Sequence, residues 1–106
     1  MIDLSMLNNK TFDITLQDGT VLNIRKPSNE LFKETFKMIE LIKKNGEEKN
    51  IVNAIYIFLT KVFNRNFNDI KFTQQQVENL IDIDISMYLI KEYQNFLTEV
   101  IQDINF

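Results

Sequence analysis

The chain has 106 residues, of which 44% are hydrophobic and 25% charged, with a formal net charge of -3. That is one domain's worth of sequence, apolar enough to bury a core and too apolar for a disordered chain. Cysteine and histidine are both absent, which excludes disulfides, thiolate metal sites and any imidazole base, ligand or pH switch.

No signal peptide is evident in Met1-Ile2-Asp3-Leu4-Ser5, because a positive start and an apolar run are both missing. The longest apolar run, Ala54 to Leu59, is far shorter than the ~20 residues of a membrane span. Arg25 and Arg65 are the only arginines, so the footprint of a nucleic-acid binder is not evident. The expectation is a cytoplasmic protein with no nucleic-acid or membrane partner.

Residues 1–10 carry no clear period and are read as an N-terminal segment. From Thr11 to Gln17 the residues alternate, with Phe12, Ile14 and Leu16 on one side. Asp18-Gly19 marks a turn, and Thr20 to Lys26 return as a second strand, giving a hairpin over residues 11–26. A two-residue loop would strand Leu22 and Ile24 on the face opposite Phe12. A three-residue loop over Gln17, Asp18 and Gly19 pairs Leu16 with Thr20, Ile14 with Leu22 and Phe12 with Ile24. A slip of one residue flips every side chain, so the second register is expected, with Gly19 at positive φ.

After Pro27, Ser28 is the expected cap of a helix running to about Lys44, with Glu30 in its first turn. Its apolar face is read as Leu31, Phe32, Phe36, Ile39 and Ile42. Lys43 and Lys44 suit the helix end, and Asn45-Gly46 is a stop signal. A second helix should start near Glu47 or Glu48 and reach about Asn64. Its apolar set is Ile51, Val52, Ile55, Phe58, Leu59, Val62 and Phe63, with Ala54 and Ile57 nearby, which makes it the expected centre of the fold.

Arg65 to Phe72 reads as a polar loop anchored by Phe67 and Ile70. Thr73-Gln74-Gln75-Gln76 matches a capping box and opens a short helix through Val77, Leu80 and Ile81. The alternating stretch Ile81-Asp82-Ile83-Asp84-Ile85 is read as a connection, with Asp84 or Ser86 capping a last helix that runs to about Asp103. The expected fold is therefore mainly α, a two-stranded N-terminal hairpin followed by a bundle of three to four helices. It forms a single domain over 1–106, helical from residue 27 onward.

Catalytic chemistry finds little footing. Ser5, Ser28 and Ser86 have no histidine to activate them, and the two glycines serve a turn and a helix end rather than a phosphate loop. Asp82, Asp84 and Glu78 could hold Mg²⁺ or Ca²⁺, but the spacing of a calcium loop is missing, and capping and solvation explain them more simply. Arg65 with Lys61 and Lys71 reads as a mixed-charge loop, since Asp69 and Glu78 lie close by. No enzymatic activity, cofactor or metal is expected.

The last helix presents a wide apolar arc. Leu89, Tyr93, Phe96 and Val100 already fill the roughly 100° that one packing contact needs. Beside them lie Tyr88, Ile90, Leu97, Ile101 and Ile104, read as a partner-binding row. Its cover would be the first ten residues or another chain, including a second copy in a homo-oligomer.

The hairpin, the two apolar helices, Phe63-Asn64-Arg65-Asn66, Phe72-Thr73 and a closing helix with Tyr93-Gln94-Asn95-Phe96 together resemble tail assembly chaperones of long-tailed phages of low-GC Gram-positive bacteria. The likeness spans roughly residues 11–101. It implies a non-enzymatic helper that binds the tape measure protein, keeps its apolar helices soluble and recruits tail tube subunits. The alternatives are a structural head-tail connector or tail completion protein, or a bacterial protein-interaction adaptor.

Overall fold

The computed structural model describes residues 10–45 and 49–103. It is mainly helical, with an N-terminal antiparallel hairpin followed by four helices. The strands are β1 (Phe12–Thr15) and β2 (Val21–Ile24), and the helices α1 (Asn29–Asn45), α2 (Lys49–Phe63), α3 (Gln74–Leu80) and α4 (Ile83–Asp103). The expected stop at Gly46 and start at Glu47 or Glu48 lie outside the described residues.

The hairpin takes the register set by its apolar pattern. Phe12 pairs with Ile24 and Ile14 with Leu22. The Leu16 N–H donates to the Thr20 carbonyl at 2.8 Å, and Gly19 closes the turn at φ +90°. Phe12, Ile14, Leu16, Leu22 and Ile24 all face the core. On the outer face, Asp13 accepts hydrogen bonds from Thr11 (2.6 Å) and from its cross-strand partner Asn23 (2.8 Å). These two bonds, Thr11 first, hold the Asp13 carboxyl below its ordinary value. A depressed carboxylate lends stability above its unfolded pKa and loses it as pH falls through the lowered one, so this support fades only in acid.

The far edge of β2 is closed by the chain that leaves α2. The Arg25 N–H donates to the Arg65 carbonyl, and the Phe67 N–H to the Asn23 carbonyl, both at 2.9 Å. Ile24 and Asn66 thereby form an antiparallel bridge. Asn66 is buried and satisfies four backbone groups. Its amide donates to the carbonyls of Phe63 and Ile70, and its oxygen accepts from the N–H groups of Asn68 and Ile70. Asn64 brackets Phe72 in the same way, accepting from its N–H at 2.7 Å and donating to its carbonyl at 3.0 Å. The Arg65 guanidinium donates to the Lys26 carbonyl. Of the two expected anchors, Ile70 packs on the core, whereas Phe67 is half exposed beneath the Arg25 guanidinium, 4.6 Å from its ring centre.

α2 contacts α1, α3, α4 and β2. Ile51, Ile55, Tyr56, Phe58, Leu59, Val62 and Phe63 are buried along it, while Val52 and Ile57 stay partly exposed. Ser28 caps α1, accepting from the Leu31 N–H at 3.2 Å. The buried face of α1 runs through Leu31, Thr35 and Met38, and Phe36 lies at its edge, 38% exposed. Thr35 can be interior because its hydroxyl donates to the Leu31 carbonyl at 2.8 Å.

The capping box at Thr73 and Gln76 forms as its sequence implies. α4 starts earlier than expected, at Ile83, so Ile83 to Ile85 are helical rather than a connection. Ser86 does not cap it. Ser86 is buried inside the first turns, its hydroxyl donating to the Asp82 carbonyl at 2.8 Å.

Phe58 is 1% exposed, and Phe58→Ala is expected to cost about 3–5 kcal/mol in urea denaturation. Asn66→Ala orphans several backbone groups at once and is expected to cost about 2–3 kcal/mol. Two buried tyrosines should behave oppositely. The Tyr56 hydroxyl donates to the Ile81 carbonyl at 2.6 Å, so Tyr56→Phe should cost about 1–3 kcal/mol by leaving that carbonyl unpaired. Among the described residues the buried Tyr93 hydroxyl has no hydrogen-bond partner, and burial pushes its phenol well above the usual range. Tyr93→Phe should therefore melt at the same temperature or higher, and a clear loss of stability would show that this hydroxyl is satisfied in solution.

Candidate functional site

The expected partner row on α4 does not form a common surface. Ile90 and Leu97 are 0% and 2% exposed and belong to the core, so their reading as surface residues is corrected. The physical reason is that α4 is covered from more than one side. Phe12 of the hairpin packs on Tyr93 and Phe96, with ring centres 5.4 and 5.6 Å apart, and both α1 and α2 contact the helix. The centre of its buried arc runs through Ser86, Ile90, Tyr93 and Leu97, at steps of three and four residues. Tyr88 alone of the row is shown exposed, at 61%. Ile101 lies within α4, but its side chain is outside the described residues, as is the whole of Ile104.

Tyr88 instead lines a groove between α1 and α4. Ile39, Ile42 and Lys43 of α1 meet Met87, Tyr88, Lys91 and Gln94 of α4 around a volume of about 540 Å³. The end of α1 thus lies beside the first half of α4. Ile39, Ile42 and Met87 are half-buried and packed on the core below. Phe32 and Phe36, with ring centres 5.1 Å apart, share a side of α1 with Ile39 and Lys43 through helical spacing. They extend the apolar edge toward the start of α1. No sequence signal singled out this groove, because it is made of the margins of two faces whose centres are buried.

Two other concavities are polar and largely self-satisfied. One, of about 430 Å³, is lined by Ser28, Glu30, Leu31, Glu34, Lys61, Asn64 and Arg65. There Lys61 pairs with Glu34 at 3.1 Å and Arg65 serves the Lys26 carbonyl. The other, of about 290 Å³, lies among Arg25, Lys26, Arg65 and Phe67. Within the mixed-charge group of Lys61, Arg65 and Lys71, Lys61 thus ties α2 to α1 and Arg65 closes the loop onto the end of β2. Asp82, Asp84 and Glu78 are all exposed. Among the described residues no group of three His, Cys, Asp or Glu side chains could hold a metal ion. Nor, among them, is any helix long and apolar enough to cross a membrane.

The chain matches no family model, no curated protein and no solved structure.

Proposed function

We propose that this chain is a non-enzymatic, protein-binding helper that takes an apolar helical segment of a partner into the groove between α1 and α4. The observation that carries the reading is the groove itself. Its floor of Ile39, Ile42 and Met87 is apolar, and its wall is a tyrosine that the fold leaves mostly exposed. Helical segments dock into grooves of this kind by inserting side chains at three- and four-residue spacing. Tyrosine is enriched at such contacts because it offers a large apolar body with a polar tip. Methionine adapts to irregular partners.

The sequence resemblance to phage tail assembly chaperones supplies the candidate partner, a tape measure protein with long apolar helices. Tail tube subunits are the second candidate. A helper of that kind needs an apolar helix-binding surface and no catalytic group.

Co-expression with a phage tape measure protein tests the proposal, with capture of a soluble complex as the expected result. Recovery of the chain as a stoichiometric part of finished particles would favour a connector or completion protein instead. Tyr88→Glu should weaken capture by about tenfold or more while leaving the circular dichroism melt unchanged. Leu97→Glu is the contrasting control. It places a carboxylate in the core and should unfold the protein outright. A Tyr88→Glu variant that captures its partner normally would move the binding surface elsewhere.

A further inference from the structure

The charge around the groove goes beyond its apolar floor. Lys43 from α1 and Lys91 from α4 both line it, and neither makes an ion pair among the described residues. No carboxylate stands among the described lining residues, although the chain carries 15 acidic residues against 12 basic ones. Lys43 has a local explanation, since a cation in the last turn of α1 suits the helix dipole. Lys91 has none, because it lies in the body of α4 and carries its charge to the same groove from the other helix.

An apolar segment settling onto Ile39, Ile42 and Met87 would strip water from both ammonium groups. Cations that lose water without gaining a partner oppose binding. The stems of the two lysines can lie along the apolar floor while their heads reach the rim. A helix that fills the groove favourably therefore carries carboxylates on the two borders of its apolar stripe. Flanking lysines would be repelled, and flanking amides would accept hydrogen bonds from the ammonium groups without balancing their charge.

We infer that the α1–α4 groove selects an acidic amphipathic helix, whose carboxylates pair with Lys43 and Lys91 while its apolar stripe packs on Ile39, Ile42, Met87 and Tyr88. This rests on the protein-binding reading above and adds the chemistry of the partner. Gln94, half-buried in the same lining, offers both a donor and an acceptor to a polar group at the stripe's border.

The test uses the full chain and three synthetic helical peptides of about 18 residues, about five turns. They share one leucine stripe and differ only in whether it is flanked by Glu, Gln or Lys. Fluorescence anisotropy should show the Glu peptide binding roughly tenfold tighter than the Gln peptide, from two rim pairs of ordinary strength. The Lys peptide should bind weakest. The preference should shrink as salt rises from about 50 mM to about 500 mM. The double variant Lys43→Glu, Lys91→Glu should reverse the order, and Lys43→Gln with Lys91→Gln should erase it. Both side chains are exposed, so both variants should stay folded and melt only slightly lower, for the loss of a cation from the last turn of α1. If all three peptides bind alike and Tyr88→Glu weakens them equally, the groove binds helices without charge selection. The inference then falls while the proposed function stands. If no peptide binds and sedimentation shows self-association that Tyr88→Glu abolishes, a second copy is the occupant and the inference falls as well.

Discussion

The fold depends on one helix that cannot be left uncovered. Along α2, apolar side chains occupy far more than the roughly 100° arc that one neighbour can bury. Ile51, Ile55, Tyr56, Phe58, Leu59, Val62 and Phe63 are all buried, and they point in several directions around the helix. Four of the five other elements cover it. α1, α3, α4 and β2 each contact it, and among its described side chains Val52, Asn53, Ile57 and Lys61 are the exposed ones. A domain of this size holds about 5–15 kcal/mol of net stability, so a single ring such as Phe58 is a sizeable fraction of what keeps the fold together.

Covering α2 with a two-stranded sheet creates a second problem. A lone hairpin is marginal in water, and its outer edge presents unpaired backbone groups. The chain solves this locally. On leaving α2 it runs back along β2 as Arg65, Asn66 and Phe67, whose backbone covers that edge through a single antiparallel bridge. Three asparagines make that path possible. Asn64, Asn66 and Asn68 substitute side-chain amides for the backbone partners that a turn of this shape cannot provide. Asp69 then reverses the chain at φ 58°, a conformation that aspartate tolerates better than most residues. The Phe63-Asn64-Arg65-Asn66 and Phe72-Thr73 segments, which carry part of the resemblance to phage chaperones, are thus accounted for by sheet closure and capping.

How much of this was legible in the sequence depended on whether a local rule admitted one answer. The hairpin register did, because only one pairing puts Phe12, Ile14, Leu16, Leu22 and Ile24 on a single face. The capping box at Thr73 did too, since both of its hydrogen bonds are made between residues three apart. The orientation of α4 did not. With Leu89, Ile90, Tyr93, Phe96, Leu97 and Val100 all apolar, the arc is wide enough for two centres, and periodicity cannot choose between them. What chose was the packing of the hairpin, α1 and α2 on the helix. Ser86 and Thr35 look like surface residues, yet each returns its hydroxyl to a carbonyl four residues back and so can sit inside. The start of α4 was hidden for a related reason, because Ile81 to Ile85 alternate like a strand while the helix uses their i, i+3 and i+4 neighbours instead.

The groove follows from the same packing. Two helices laid side by side on a third must leave a valley between their outer surfaces, because each is roughly a cylinder about 10 Å across. A domain with no use for the valley would fill it with long apolar side chains from either wall or bridge it with an ion pair. Here the wall positions carry neither solution. Tyr88 stands mostly in solvent, and both charged groups, Lys43 and Lys91, have the same sign. Like charges placed across a gap oppose its closure and draw no stability from each other. Since α1, α2 and α4 already bury their faces beneath it, the groove contributes little to holding the fold. Its apolar floor and cationic rim are the features on which the proposed docking of a partner helix rests.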